Sequence, residues 1–222
     1  MGMTICYSFA SRSRPERFFE TLDNVRTMSA SDDYFVVAKL DTDDPMMYND
    51  AVLNRIAENY SNVTPVYGTS TSKIHAINRD INDAGLPHWD ILINMSDDMR
   101  WGTYGFDEII RQHMPVNLDG FLHVPDDYAK ERVCTTSIIG YRYYQRDMYV
   151  YNPAYYSMWC DDEATIVAKE RGCYVMVPGV KLEHLHYTND RKAVKDELYW
   201  RNDTYNKDKE VFEQRKARGF DL

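Results

Sequence analysis

Asp90-Ile91-Leu92-Ile93-Asn94-Met95-Ser96-Asp97-Asp98 drives an apolar run directly into two adjacent carboxylates. A run of this length and composition reads as a buried strand, and a buried strand has no use for charge, so carboxylates at its end point to a task. Neighbouring carboxylates repel unless something cationic lies beside them, and hard divalent cations such as Mg²⁺ and Mn²⁺ prefer oxygen ligands. One reading is therefore a metal-diphosphate site. The other is a polar turn or helix N-cap, in which Ser96-Asp97-Asp98 merely closes the strand before Met99-Arg100-Trp101.

Working outward, apolar runs alternate with helical patterns through the first hundred residues. Thr4 to Phe9 reads as a strand, and Arg14-Pro15-Glu16-Arg17-Phe18-Phe19 opens a helix to about Val25. Tyr34 to Leu40 is a second strand ending in Asp41-Thr42-Asp43-Asp44-Pro45, followed by a helix from about Asn49 to Glu58. Val63 to Tyr67 is a third, and Gly68-Thr69-Ser70-Thr71-Ser72 leads into a helix carrying Ile74, Ile77 and Ile81 on one face. Such alternation predicts a mostly parallel α/β sheet covered on both faces, with ligands gathered beyond the carboxyl ends of the strands.

Beyond residue 100 the rhythm changes. A helix over Phe106 to His113 and a strand over Gly120 to Val124 precede a Tyr-rich stretch, Ile138 to Tyr156, whose alternation predicts strands or an extended wall. Asp161 to Arg171 reads as a helix ended by Gly172, with strands near Tyr174 to Val177 and Lys181 to Tyr187. The polar tail from Lys192 reads as helical. No repeat or linker interrupts the 222 residues, so one domain is expected, with a nucleotide-binding half over 1–100, a catalytic half over 101–190 and a helical tail over 191–222.

Bulk properties narrow the partners. A net charge of −9 disfavours a nucleic-acid surface, and no apolar stretch is long enough to span a membrane. A soluble, cytoplasmic protein is expected. Cys6, Cys134, Cys160 and Cys173 form no C-x-x-C pair and predict neither a zinc knuckle nor a redox motif.

Several features fall in an order that matches a known family. They are the Arg-Pro loop Ser11-Arg12-Ser13-Arg14-Pro15 after the first strand, Asp41 at the end of the second, Ala76-Ile77-Asn78 after Gly68, and Ser96-Asp97-Asp98. In this the chain resembles glycosyltransferases of the GT-A fold, of the family-2 type, over nearly its whole length. The resemblance implies a GT-A fold and a metal-dependent transfer, inverting at the anomeric carbon, from a nucleotide-diphosphate-sugar donor to a hydroxyl acceptor. A UDP- or GDP-sugar is the expected donor and a carbohydrate or other hydroxyl compound the acceptor. It implies donor-binding roles for Ser11, Arg12, Arg14, Asp41, Lys73, Asn78 and Asp97, with Asp98 holding Mn²⁺ or Mg²⁺. Ser96 stands where an Asp-x-Asp motif has its first Asp.

Two later motifs complete the reading. Trp159-Cys160-Asp161-Asp162-Glu163 opens a helix where the resemblance implies the general base, with Asp162 first, then Asp161 and Glu163; acids in a first helical turn also simply complement the macrodipole. His184 and His186 share a face of one strand, and imidazole is a competent late ligand for the same cation. Two rival functions remain on this fold, a sugar-nucleotide-forming nucleotidyltransferase and a non-catalytic nucleotide- or carbohydrate-binding module.

Overall fold

In the computed structural model, which describes residues 2–82, 85–185 and 204–222, apolar alternation is realised as a seven-stranded sheet. Strands β1 (Ile5–Ala10), β2 (Tyr34–Asp41), β3 (Val63–Gly68) and β4 (Ile91–Met95) are mutually parallel. Their neighbours β6 (Phe121–His123), β7 (Ile138–Gly140) and β8 (Tyr174–Met176) extend the sheet in the order β3-β2-β1-β4-β7-β6-β8, with β7 antiparallel to both β4 and β6. A separate antiparallel pair joins β5 (Met99–Trp101) to β9 (Leu182–His184).

Strand parity sorts the core into two. Ile5, Tyr7 and Phe9 of β1 face helices α1 (Pro15–Met28), α2 (Asp50–Asn59) and α4 (Phe106–His113), which contribute Phe18, Leu22, Val52, Ile56, Phe106 and Ile110 to that cluster. Cys6 of β1, Val37 of β2 and Leu92 of β4 face the other way, against α3 (Lys73–Asn78), the single turn α5 (Tyr141–Tyr144), α6 (Cys160–Glu170) and α7 (Tyr205–Ala217). Both sheet faces are thus covered, as the sequence predicts for parallel strands buried on both sides.

Local chemistry explains the boundaries. Pro15 starts α1, where its missing N–H is no loss. Asn49 and Ser72 cap α2 and α3, accepting from Val52 and His75 N–H. The helix expected through Ile81 stops at Asn78, because Asp80 takes a left-handed φ of 61°. Arg79 is there drawn to Ser70 and the Leu40 carbonyl. Ile81 stays buried in the following turn.

The Tyr-rich stretch departs from expectation. Only Ile138–Gly140 is strand; Tyr141–Tyr144 forms one helical turn and the remainder is irregular to Trp159. Tyr143, Tyr144, Tyr151 and Tyr155 bury their rings in the second core, so this segment is a packed flank rather than an extended wall. Strand β5 was not foreseen, because three residues carry no periodicity. Of the polar tail, residues 192–203 lie outside the described segments, while Tyr205–Ala217 is helical as expected. No helix among the described residues is long and apolar enough to cross a membrane.

Where β7 crosses the 114–118 loop, the backbones approach closely. A Cβ on Gly140 would lie 2.2 Å from the Leu118 carbonyl oxygen, a clash with main chain that no rotamer change relieves. Gly140→Ala is expected to destabilise the fold by at least ~1–3 kcal/mol, read as a lower urea midpoint at unchanged m-value.

Candidate functional site

The carboxyl ends of the parallel strands open into one cavity of about 330 Å³, floored by the sheet and walled by α3, the segment 151–158 and the start of α6. Asp41, the last residue of β2, is buried and accepts from Ser70 Oγ (2.6 Å) and Arg12 Nη1 (3.0 Å). Arg12 continues to Asp43, at 2.7 and 3.1 Å, a fork geometry suited to carboxylates. Ser13, at φ 61°, is held in its left-handed conformation by Asp44, whose Oδ2 accepts its N–H at 2.6 Å. Lys39 is almost wholly buried beneath this end of the cavity, with Nζ donating to the Ile77 carbonyl; burial pushes its ammonium down to about 7.

At the end of β4 the two acidic neighbours diverge. Asp97 accepts from Arg14 Nη1 (3.0 Å) and Ser11 Oγ (3.2 Å). Burial pushes its carboxyl upward, against the pull of Arg14. Asp98 is equally buried, and burial opposes its ionisation too, but His184, Lys73 and the short bond from Ser96 Oγ hold it well below the usual range. His184 reaches it because the β5–β9 pairing sets Met99 opposite His184, leaving Nε2 3.8 Å from Asp98 Oδ2.

The other His184 nitrogen, Nδ1, lies 2.9 Å from Asp126 Oδ2. Asp126 is buried in the loop after β6, its Oδ1 accepting from the N–H groups of Tyr128, Ala129 and Lys130 and its Oδ2 from Thr135 Oγ1. A carboxylate behind an imidazole fixes the ring and directs its second nitrogen, here toward Asp98. Asp126 escaped sequence reasoning; the only signal was an Asp two residues after Val124, at a strand's end like Asp41. Among the described residues no three acidic, His or Cys side chains converge as a ready cage. Asp98 and His184 are nonetheless a fitting donor pair, since a hard cation shared with substrate phosphates takes few protein ligands. His186 lies outside the described residues.

The far wall carries the acidic helix start. Trp159, at φ 65°, precedes α6, and Asp161 lines the cavity with Cys160, Tyr156 and Met158. Desolvation raises the Asp161 carboxyl, with Lys73 acting in the opposite direction. Asp162 turns toward Arg132, 3.7 Å away, and is pushed up to about 6, first by desolvation and then by Asp161. Successive helical residues are about 100° apart, so the three acids cannot share one face. Glu163 is the clearest case: it is buried on the opposite side in a two-bond ion pair with Arg215 of α7 (2.8 and 2.9 Å) and accepts from Tyr155 Oη. That engagement removes it from the candidate bases. Asn78 is likewise corrected, because its amide is consumed in latching Val150 and Tyr151 backbone rather than facing the cavity.

With this geometry in place, the comparisons are informative about fold. The mannosyltransferase PcManGT from Pyrobaculum calidifontis, solved in complex with GDP-Man and Mn²⁺, superposes with a TM-score of 0.66 at 14% identity, over 83% of this chain and 57% of its own. The fold is GT-A-like. The chain thus spans a little over half the length of that enzyme. A second similar structure is 4-diphosphocytidyl-2C-methyl-D-erythritol synthase from Anaerococcus prevotii, at a TM-score of 0.56 and 12% identity over 93% of this chain and 97% of its own. No protein-family model and no curated protein matches the sequence.

The GT-A-like frame brings Ser11, Arg12, Arg14, Asp41, Lys73, Asp97, Asp98, Asp161 and His184 to one cavity. The Asp162 carboxyl has a sign-definite consequence. With a folded pKa raised to about 6, the native state binds its proton more tightly than the unfolded chain, so stability falls as pH rises from the unfolded value through about 6. Asp162→Asn is therefore expected to raise the Tm at pH 8, with the gain vanishing toward pH 4, in thermal melts across that range.

Proposed function

We propose that this chain transfers a sugar from a nucleotide-diphosphate-sugar donor to a hydroxyl acceptor, in a Mn²⁺- or Mg²⁺-dependent reaction that inverts the anomeric carbon. The observation that carries this reading is the Asp98–His184 pair, 3.8 Å apart and backed by Asp126, in the same cavity as Asp161. The mannosyltransferase with the similar fold holds GDP-Man and Mn²⁺, which supports a donor of this class.

In this reading Asp41, Arg12 and Ser70 receive the nucleoside end, and Ser11, Arg14 and Asp97 orient the ribose side. Lys73 lies toward the diphosphate. A cation held by Asp98 and His184 supplies neutralisation of the leaving diphosphate. Asp161, rather than Asp162, takes the acceptor proton: as the acceptor oxygen bonds the anomeric carbon, the bond to the diphosphate breaks and the proton passes to an Asp161 carboxylate oxygen. Asp161 lines the cavity, whereas Asp162 turns toward Arg132. The acceptor approaches past Tyr128, Tyr156 and Met158, whose partly exposed side chains offer faces for a pyranose ring.

A second reading rests on the likeness to the 4-diphosphocytidyl-2C-methyl-D-erythritol synthase over nearly all of both chains. A nucleotidyltransferase would release pyrophosphate from a nucleoside triphosphate and a sugar phosphate, whereas a glycosyltransferase hydrolyses or transfers from UDP- or GDP-sugars and releases the diphosphate.

Thermal-shift titration with UDP, GDP and their sugars plus Mn²⁺, followed by donor hydrolysis, tests the proposal. Wild type is expected to be stabilised by at least one such nucleotide and to turn it over only with metal. Asp98→Ala is expected to abolish turnover; metal-independent turnover unchanged by that substitution would refute the proposal. Asp161→Asn is expected to slow turnover by about 10²–10⁴-fold while nucleotide binding persists. Asp126→Asn is expected to weaken Mn²⁺ by roughly 10–100-fold, read from the free-ion signal in electron paramagnetic resonance.

A further inference from the structure

We infer that the chain holds a second binding site, for one neutral sugar ring, in a cavity of about 160 Å³ behind helix α6. The site stands independently of the donor reading. It lies between α6, the irregular segment after α5 and the residues that follow α7. Cys160 lines both this cavity and the main one, so the two stand back to back across the first turn of α6. Tyr149 and Asn152 are half-buried and Asp221 is exposed, which opens the second cavity to solvent on that side. At about half the volume of the main cavity, it admits a single small ring rather than a nucleotide.

The lining combines two chemistries. Phe121, Tyr143 and Phe220 supply aromatic surface, the first two with ring centroids 5.8 Å apart. The polar part is built from forked ion pairs, Arg171 with Asp147 at 2.5 and 2.9 Å and Arg215 with Glu163 at 2.8 and 2.9 Å. Arg215 also reaches Asp221 at 2.9 Å. Two guanidiniums thus meet three carboxylates, so a phosphate finds no surplus of positive charge. A cation would have to compete with the guanidinium that each carboxylate already holds. What the walls keep in reserve is neutral hydrogen bonding. A carboxylate offers about four lone-pair sites, of which Asp147 uses two on Arg171. Tyr149 Oη accepts from Asn152 Nδ2 at 3.0 Å and retains its own O–H to donate. A pyranose suits this mixture, because its hydroxyls both donate and accept while its C–H face packs on aromatic rings. The forks hold one another in place, so the ring binds without reordering them.

The test is titration by saturation-transfer NMR of wild type, Ala164→Met and Tyr149→Phe. The probes are glucose, galactose, mannose, N-acetylglucosamine, maltotriose, the β-linked trimer of N-acetylglucosamine, glucose 6-phosphate and mannose 6-phosphate. At least one neutral sugar is expected to bind wild type saturably. Ala164 lines the cavity from α6, and Ala164→Met, which fills it, is expected to weaken that binding at least about tenfold. Tyr149→Phe keeps the ring and removes only the hydroxyl, and is expected to cost about three- to tenfold. It carries the test if the melting curve shows Ala164→Met to be poorly folded. Either 6-phosphate is expected to bind more weakly than its parent sugar. A trisaccharide that binds more tightly than its monosaccharide assigns the site to a glycan chain, and equal affinities assign it to a free sugar. No binding by any neutral sugar, binding untouched by the variants, or tighter binding of a 6-phosphate overturns the site. No nucleotide enters the test, so its outcome and that of the donor reading are separate.

Discussion

Two adjacent, buried carboxylates cannot both stay ionised in a dry strand end unless each is given its own compensation, and the cavity is organised around that requirement. Asp97 turns to Arg14 and Ser11, which belong to the β1–α1 loop. Asp98 turns to Ser96 and to His184, delivered by a strand far along the chain. Each compensation recruits another element, so Arg14 fixes the entry to α1 and His184 fixes the small β5–β9 sheet against the main one. Asp41 repeats the pattern two strands over, where Arg12 and Ser70 draw the β1 and β3 loops together above β2.

Strained backbone at the rim is stabilised by the same device. Ser13 and Trp159 both have left-handed φ values and are not glycine, a conformation that persists only where surroundings impose it. Asp44 holds the first through its N–H. Before the second, buried Asp208 of α7 accepts the N–H groups of Tyr156, Ser157 and Met158, with Thr204 completing the set. Helix α7 thereby anchors the segment leading into Asp161, and the Arg215–Glu163 pair ties it to α6 about two turns further along. The C-terminal helix is thus a brace for the acidic wall rather than a surface cover.

What could be read from sequence follows the range of the interactions concerned. Alternating strands and helices, the Asp41 and Asp97-Asp98 strand ends and the helix beginning at Cys160 depend on neighbours within a few residues, and the sequence analysis and the structure agree on them. Asp126 and β5 depend on partners 58 to 85 residues away and have no local period. Asn78 follows an Ala-x-Asn pattern, yet its amide is committed to backbone more than 70 residues on, a contact no spacing reveals. Glu163 was separable in principle: a helix that aims Asp161 at a cavity must aim its second neighbour elsewhere, and Arg215 decides where.

The polar residues on the second sheet face carry this reasoning one step further. Lys39, Ser8, Asn94 and Ser137 lie on β2, β1, β4 and the approach to β7, on the side where Val37, Cys6, Leu92 and Ile139 build a dry core. A fold selected only for stability would continue that core to the strand ends. Instead the apolar face stops about one pleat short, and of the four polar residues Lys39 and Asn94 line the cavity. Lys39, a buried donor, lies under the β2 end, and Asn94, a buried acceptor, under the β4 end. The Lys39 ammonium is spent on the Ile77 carbonyl, so the polar residue under the β2 end ties α3 to the sheet and fixes the wall of the cavity from below.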